Sequence, residues 1–261
     1  MSNLRKREIN MKANNTRREF LRTSAIVGGA LILTSCGGKS TSSEQSNNQT
    51  SSKGEEKGGE VTATEDLMRE HGVLRRALLV YTAVAGKLRG NASAIAPDAL
   101  QKTAKLFKAF GEDYHEKKLE EQFIFPAVKQ AGGEAASYAD VLVVQHNRGR
   151  EITDYIISVT QGAKLGAANA EPLAKALESF VLMYQHHAAR EDTIIFPAWK
   201  QTMSEKQLDE MGDKFEDIEK EQFGGDGYED AVKQIAAIEG SLGLTDIQQF
   251  TAPPPPKVTN S

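Results

Sequence analysis

The sequence predicts an all-α protein, an up-down-up-down four-helix bundle with two additional C-terminal helices. Apolar residues recur at threes and fours over four long stretches, the period of a buried helical stripe. No stretch shows the alternation of a half-buried strand. Short Gly- and Pro-containing breaks separate the stretches, which makes successive helices antiparallel neighbours.

Residues 1–36 stand apart from the fold. Thr16-Arg17-Arg18-Glu19-Phe20-Leu21-Arg22 resembles a twin-arginine export motif, and the apolar run Ala25 to Leu33 follows it. The run is short and rich in Gly, Ser and Thr, so it reads as a signal peptide, the alternative being an uncleaved anchor. Cys36, the sole cysteine, closes Leu33-Thr34-Ser35-Cys36 ahead of Gly37 and resembles a lipobox. The expectation is lipidation at Cys36 and an exported protein, periplasmic or at the cell surface, tied to the membrane only by that lipid; the alternative is an unmodified cysteine.

Residues 37–62 are mostly Gly, Ser, Thr, Asn, Gln, Lys and Glu, with almost nothing to bury, and read as a flexible linker. Met1 to Ser35 holds seven basic and two acidic residues, so the remainder, with 25 basic and 34 acidic, carries a net −9 (25 − 34). That charge argues against a nucleic-acid partner. The stretch from Val61 to Phe250 is long enough for one domain with a real core.

The first helix, Thr64 to Leu88, places Leu67, Leu74, Leu78, Tyr81, Ala85 and Leu88 on one stripe, with His71 in its gap. Asn91 to Pro97 interrupts it and Asp98 restarts the chain. The second helix carries Leu100, Phe107 and Tyr114 in register up to His115 and runs through Leu119 and Phe123, until Pro126 ends or kinks it. After the Gly132-Gly133 turn a third helix, about Ala135 to Val159, aligns Leu142, His146, Ile152, Ile156 and Val159. The fourth is the most regular: Leu173, Leu177, Phe180, Tyr184, His187, Glu191 and Ile194, with His186 rotated about 100° to the rim. These helices make a bundle over 63–201. Appended helices fill 202–250, beginning with the capping box Ser204-Glu-Lys-Gln207, and a Pro-rich tail occupies 251–261. The acidic run Glu216 to Glu221 reads as a solvated face.

Each bundle helix thus brings one inward histidine, His71, His115, His146 or His187, and two bring a nearby glutamate, Glu120 and Glu191. Unpaired buried polar groups are costly, whereas a cation satisfies imidazoles and carboxylates together; His-plus-carboxylate sets in a bundle suit iron or manganese. Two six-coordinate ions have about twelve positions, of which these side chains fill about eight and a bridging oxygen two, leaving room for a small ligand. Ferritin-like sites need two Glu-x-x-His motifs, and only Glu112-Asp-Tyr-His115 fits. His-Glu-x-x-His zinc motifs and nucleophile elbows are absent.

Arg69-Glu-His71, His115-Glu116 with Glu120-Glu-Gln-Phe-Ile-Phe-Pro126, Gln145-His146-Asn-Arg-Gly-Arg150 and His187-Ala-Ala-Arg-Glu191-Asp-Thr-Ile-Ile-Phe-Pro197 together resemble the hemerythrin-like, HHE cation-binding group. The resemblance implies two iron ions with a bridging oxygen, or manganese or a mixed pair, that bind or process dioxygen, nitric oxide or peroxide. Oxygen-carrying hemerythrins have a second histidine where this chain has Arg150, which favours sensing or scavenging over carriage. A metal-free helical interaction module at the cell surface is the alternative.

The first His-Glu pair is five apart, which on a regular helix turns Glu120 about 140° from His115. A π-bulge at Lys117-Lys118 restores alignment; alternatively Glu116 and Glu120 both approach the metal. Arg75 and Arg150 either steady the carboxylates from behind or are surface residues. Tyr114 and Tyr184 either pack the core or bond a ligand.

Overall fold

The computed structural model describes residues 61–91, 95 and 97–257; the twin-arginine segment, Cys36 and nearly all of the linker lie outside them. The described residues are helical, with no strand. None of these helices is long and apolar enough to cross a membrane.

Helix α1 (Ala63–Asn91) buries its whole predicted stripe, including His71. Helix α2 (Pro97–Leu106) passes without a break into a π-helix, Phe107–Ile124, and then α3 (Phe125–Ala131), together one continuous second core helix. Pro126, expected to end or kink this helix, does not end it. It occupies the first turn of α3, directly after the π segment. Gly132 and Gly133 then turn the chain with φ of 77° and 78°, a left-handed pair that side chains with a Cβ rarely adopt.

Helix α4 (Gly133–Val159) packs against α2 and the long π segment, and α5 (Ala170–Arg190) lies along α1. A second π segment, Glu191–Ile195, joins α5 to α6 (Phe196–Gln201). Tyr81, Phe107, Phe180 and Tyr184, from the first, second and fourth core helices, form an aromatic layer with inter-helix ring centroids 4.9–6.4 Å apart. Burying such rings stabilises a core by about 1.5–3 kcal/mol each.

Helix α7 (Glu205–Phe223) starts at the predicted capping box, in which Ser204 and Gln207 satisfy each other's backbone N–H groups. It covers the long π segment with Phe223 against Phe110 and Tyr114, and Phe215 stacks on Trp199 of α6. Helix α8 (Gly227–Leu242) is fastened to α1 by a two-pronged Arg76–Glu239 ion pair and by Arg69 over the Tyr228 ring. One expectation fails here: Glu219 is buried rather than solvated, accepting the Tyr228 backbone N–H at 2.7 Å.

Candidate metal centre

The four helices aim four imidazole Nε2 atoms at one buried point. His71 and His115 approach within 3.0 Å through Nε2, and so do His146 and His187. Two carboxylates join the pairs. Glu120 puts one oxygen 3.3 Å from His115 Nε2 and the other 3.3 Å from His146 Nε2. Glu191 lies 3.0 Å from His187 Nε2 through Oε1 and 3.5 Å from His71 Nε2 through Oε2. All six residues are at most 3% exposed.

Local backbone geometry explains the Glu120 placement. An i→i+5 helix aligns residues five apart, so Glu120 stays beside His115 instead of turning away. The expected one-residue bulge at Lys117-Lys118 proves too narrow, since the π geometry runs the full 107–124. Its extent has no signature in the apolar spacing beyond a one-residue slip between Tyr114 and Leu119.

Behind each ligand-facing nitrogen stands an acceptor that the sequence did not single out. His71 Nδ1 faces Asp192 at 2.7 Å, His115 Nδ1 faces Glu70 at 2.7 Å, His146 Nδ1 faces Glu121 at 2.9 Å, and His187 Nδ1 faces Gln145 at 2.9 Å. Each acceptor holds the proton on Nδ1 and leaves the Nε2 lone pair directed inward. Glu70, Glu121, Gln145 and Asp192 each adjoin one of the six residues in sequence yet serve the imidazole of another helix.

The two arginines do not touch the shared carboxylates. Arg75 pairs with Asp192, and Arg150 with Glu121, so each grips the group that aims an imidazole. Glu116 is turned from the Nε2 cluster: one oxygen accepts the Tyr184 hydroxyl at 2.7 Å and the other accepts Arg150 at 3.1 Å. Tyr114 donates to Glu70 at 3.2 Å. His186 is exposed, at the rim as expected.

The two Phe-Pro motifs also acquire a role. Phe125 stacks on His146 with centroids 5.5 Å apart, and Phe196 lies 5.3 Å from His71, so each ring is fixed on its apolar face. A cavity of about 10 Å³, room for roughly one water-sized molecule, is lined by His71, His115, Glu116, Tyr184, His187 and Glu191 among others.

The family model for the hemerythrin HHE cation-binding domain matches residues 62–199. The chain belongs to this hemerythrin family. Uncharacterized proteins of Mycobacterium bovis and of Mycobacterium tuberculosis (strain H37Rv) are each 40% identical to it over 239 residues, covering 90% of this chain and 90% of their own. No solved structure matches it.

The donor set of this hemerythrin-family chain fits a pair of cations. Both oxygens of Glu120 and of Glu191 are buried without a hydrogen-bond partner, the costly arrangement that a positive ion relieves. Adjacent donors around an octahedral ion at about 2.1 Å are about 3.0 Å apart, the spacing within each histidine pair. Protons serve the same purpose when no ion is bound. Burial pulls His115 and His146 down, but Glu120 with Glu70 holds His115 well above its ordinary range, and Glu116, Glu120 and Glu121 bring His146 up to about 10. Glu120 is correspondingly held well below the usual carboxylate range, because His115 and His146 outweigh its burial.

Proposed function

We propose that this chain holds two iron ions with a bridging oxygen and uses them to bind or process a small oxidant, dioxygen, nitric oxide or peroxide. The observation carrying this reading is the pair of spanning carboxylates: Glu120 reaches from His115 to His146, and Glu191 from His71 to His187. His71 and His115 would hold one ion, His146 and His187 the other, with Glu120 and Glu191 shared; Glu116 is left out because Tyr184 and Arg150 occupy it. When bound, the ions supply open coordination positions and redox capacity. The chain's own contribution is to aim four imidazoles through Glu70, Glu121, Gln145 and Asp192, exclude bulk water, and leave a one-molecule cavity. In this reading the four core helices form an up-down-up-down bundle, and the leader exports the protein for lipid attachment at Cys36.

Metal analysis of protein made with iron present is the test. Close to two irons per chain is expected, falling in His187→Ala and Glu120→Ala. A helical chain with no iron, whose melting is unaffected by chelation, would overturn the reading in favour of a metal-free interaction module.

A further inference from the structure

Among the described residues, the buried side-chain atoms with no hydrogen-bond partner, apart from the shared carboxylates, are Tyr81 Oη, both Glu112 oxygens, Arg150 Nε and Thr153 Oγ1. They come from three different elements, α1, the long π segment and α4, yet converge on Glu112. Burial first, and then the Glu112 charge, raises Tyr81, while burial raises Glu112 and the Thr153 hydroxyl and Arg150 favour its charged form. Buried polar atoms are almost always bonded to something. The Thr153 hydroxyl comes near enough to act on the Glu112 carboxyl, yet neither carboxyl oxygen has a well-formed hydrogen bond, a shortfall that water can fill.

The ligand cavity is reached through Glu116, whose charge acts on Glu112. Glu116, four residues on from Glu112, lines that cavity together with Tyr184 and accepts the Tyr184 hydroxyl at 2.7 Å. Arg150 serves both sides, donating through Nη2 to Glu116 while its Nε remains among the unsatisfied atoms. Towards the surface, the exposed ion pair of Lys108 with Asp154 stands one turn before Glu112.

We propose that Glu112, with Tyr81 and Thr153 around it, is a water-assisted proton store for the ligand in the cavity, connected to it along the Glu116–Tyr184 hydrogen bond. The inference rests on the metal reading above. The step moves a proton only: the O–H bond of the Glu112 carboxyl breaks, an O–H bond forms on an oxygen of the ligand, Glu112 is left a carboxylate, and solvent returns the proton. No electron enters or leaves the chain's side chains.

The surroundings suit that task. Burial raises the Glu112 carboxyl to about 7; Glu116 adds to the rise, and Thr153, Lys108 and Arg150 oppose it. Tyr81 from α1 and Tyr184 from α5 face the same group, both held neutral by burial and neighbouring carboxylates. A carboxyl near neutrality can both give and regain a proton under ordinary conditions.

Infrared spectra of the full chain, as purified and after chelation, test the store directly, with iron content measured in parallel. The chelated chain should show a carboxylic-acid carbonyl band titrating near about 7; it should vanish in Glu112→Gln and titrate at higher pH in Thr153→Val. With hydrogen peroxide as probe, iron-loaded Glu112→Gln should react on the order of 100-fold more slowly than wild type and lose the corresponding pH step. No band lost in Glu112→Gln, or an iron-replete Glu112→Gln with unchanged peroxide rate and pH profile, overturns this inference alone. A chain that carries no iron overturns the metal reading, and this inference with it.

Discussion

The hydroxyl of Tyr184 occupies the space that a Cβ on Gly149 would need. Gly149 sits between Arg148 and Arg150 on α4, and its lack of a side chain lets Tyr184 reach Glu116 at 2.7 Å. Gly149→Ala should displace the ring and break that bond. The expected cost is about 1–3 kcal/mol, or a Tm lower by several degrees. Thermal melting checks it; an unchanged Tm would show that Tyr184 can relocate freely.

The groups behind the imidazoles should matter for metal although they do not face it. Glu70→Ala and Gln145→Ala leave every Nε2 in place but free the His115 and His187 rings to turn. Iron affinity should fall by roughly 10–100-fold, with helicity retained, as measured by competition with a chelator. Equal affinity in both variants would mean that stacking and packing alone fix the rings.

Metal uptake should release protons. In the metal-free chain nearby carboxylates outweigh burial and favour the protonated form of both His146, raised to about 10, and His115, held well above its ordinary range. Binding needs both neutral, so on the order of two protons should leave per loaded chain, and affinity should weaken as pH falls. Titrating weakly buffered protein with ferrous iron reads this directly.

Glu112 gives stability a pH dependence with a definite sign. Its carboxyl is raised from 4.5 to about 7 in the folded chain, so the folded state binds the extra proton. The associated stability is fully present below the unfolded value and is lost as pH rises through about 7. The full swing is about 3 kcal/mol. Glu112→Gln, neutral throughout, should flatten the loss in urea denaturation of the chelated chain between about pH 5 and pH 8. A parallel decline in variant and wild type would assign the effect elsewhere.

The helices and the six residues that meet at the cluster were legible because apolar spacing fixes a helix's inward face, and His71, His115, His146, His187 and Glu191 share that face. Glu120 could be placed only by noticing the five-residue interval. Glu70, Glu121, Gln145 and Asp192 were not legible, since each lies beside the inward stripe, where polar residues ordinarily meet solvent. Only the neighbouring helix makes them acceptors. The short π segment at Glu191–Ile195 left no trace, because it begins only at Glu191, and the four-residue interval from His187 runs through the regular helix up to that point.

The contacts behind the imidazoles form a closed circuit. Glu70 on the first core helix aims the histidine of the second, Glu121 on the second aims that of the third, Gln145 on the third aims that of the fourth, and Asp192 on the fourth aims that of the first. No helix orients its own imidazole. Undocking the fourth removes His187 and Glu191 and also releases His71 on the opposite strand of the circuit, so a partly assembled chain loses both halves of the centre together. A cation site with all four imidazoles aimed therefore needs all four core helices docked at once.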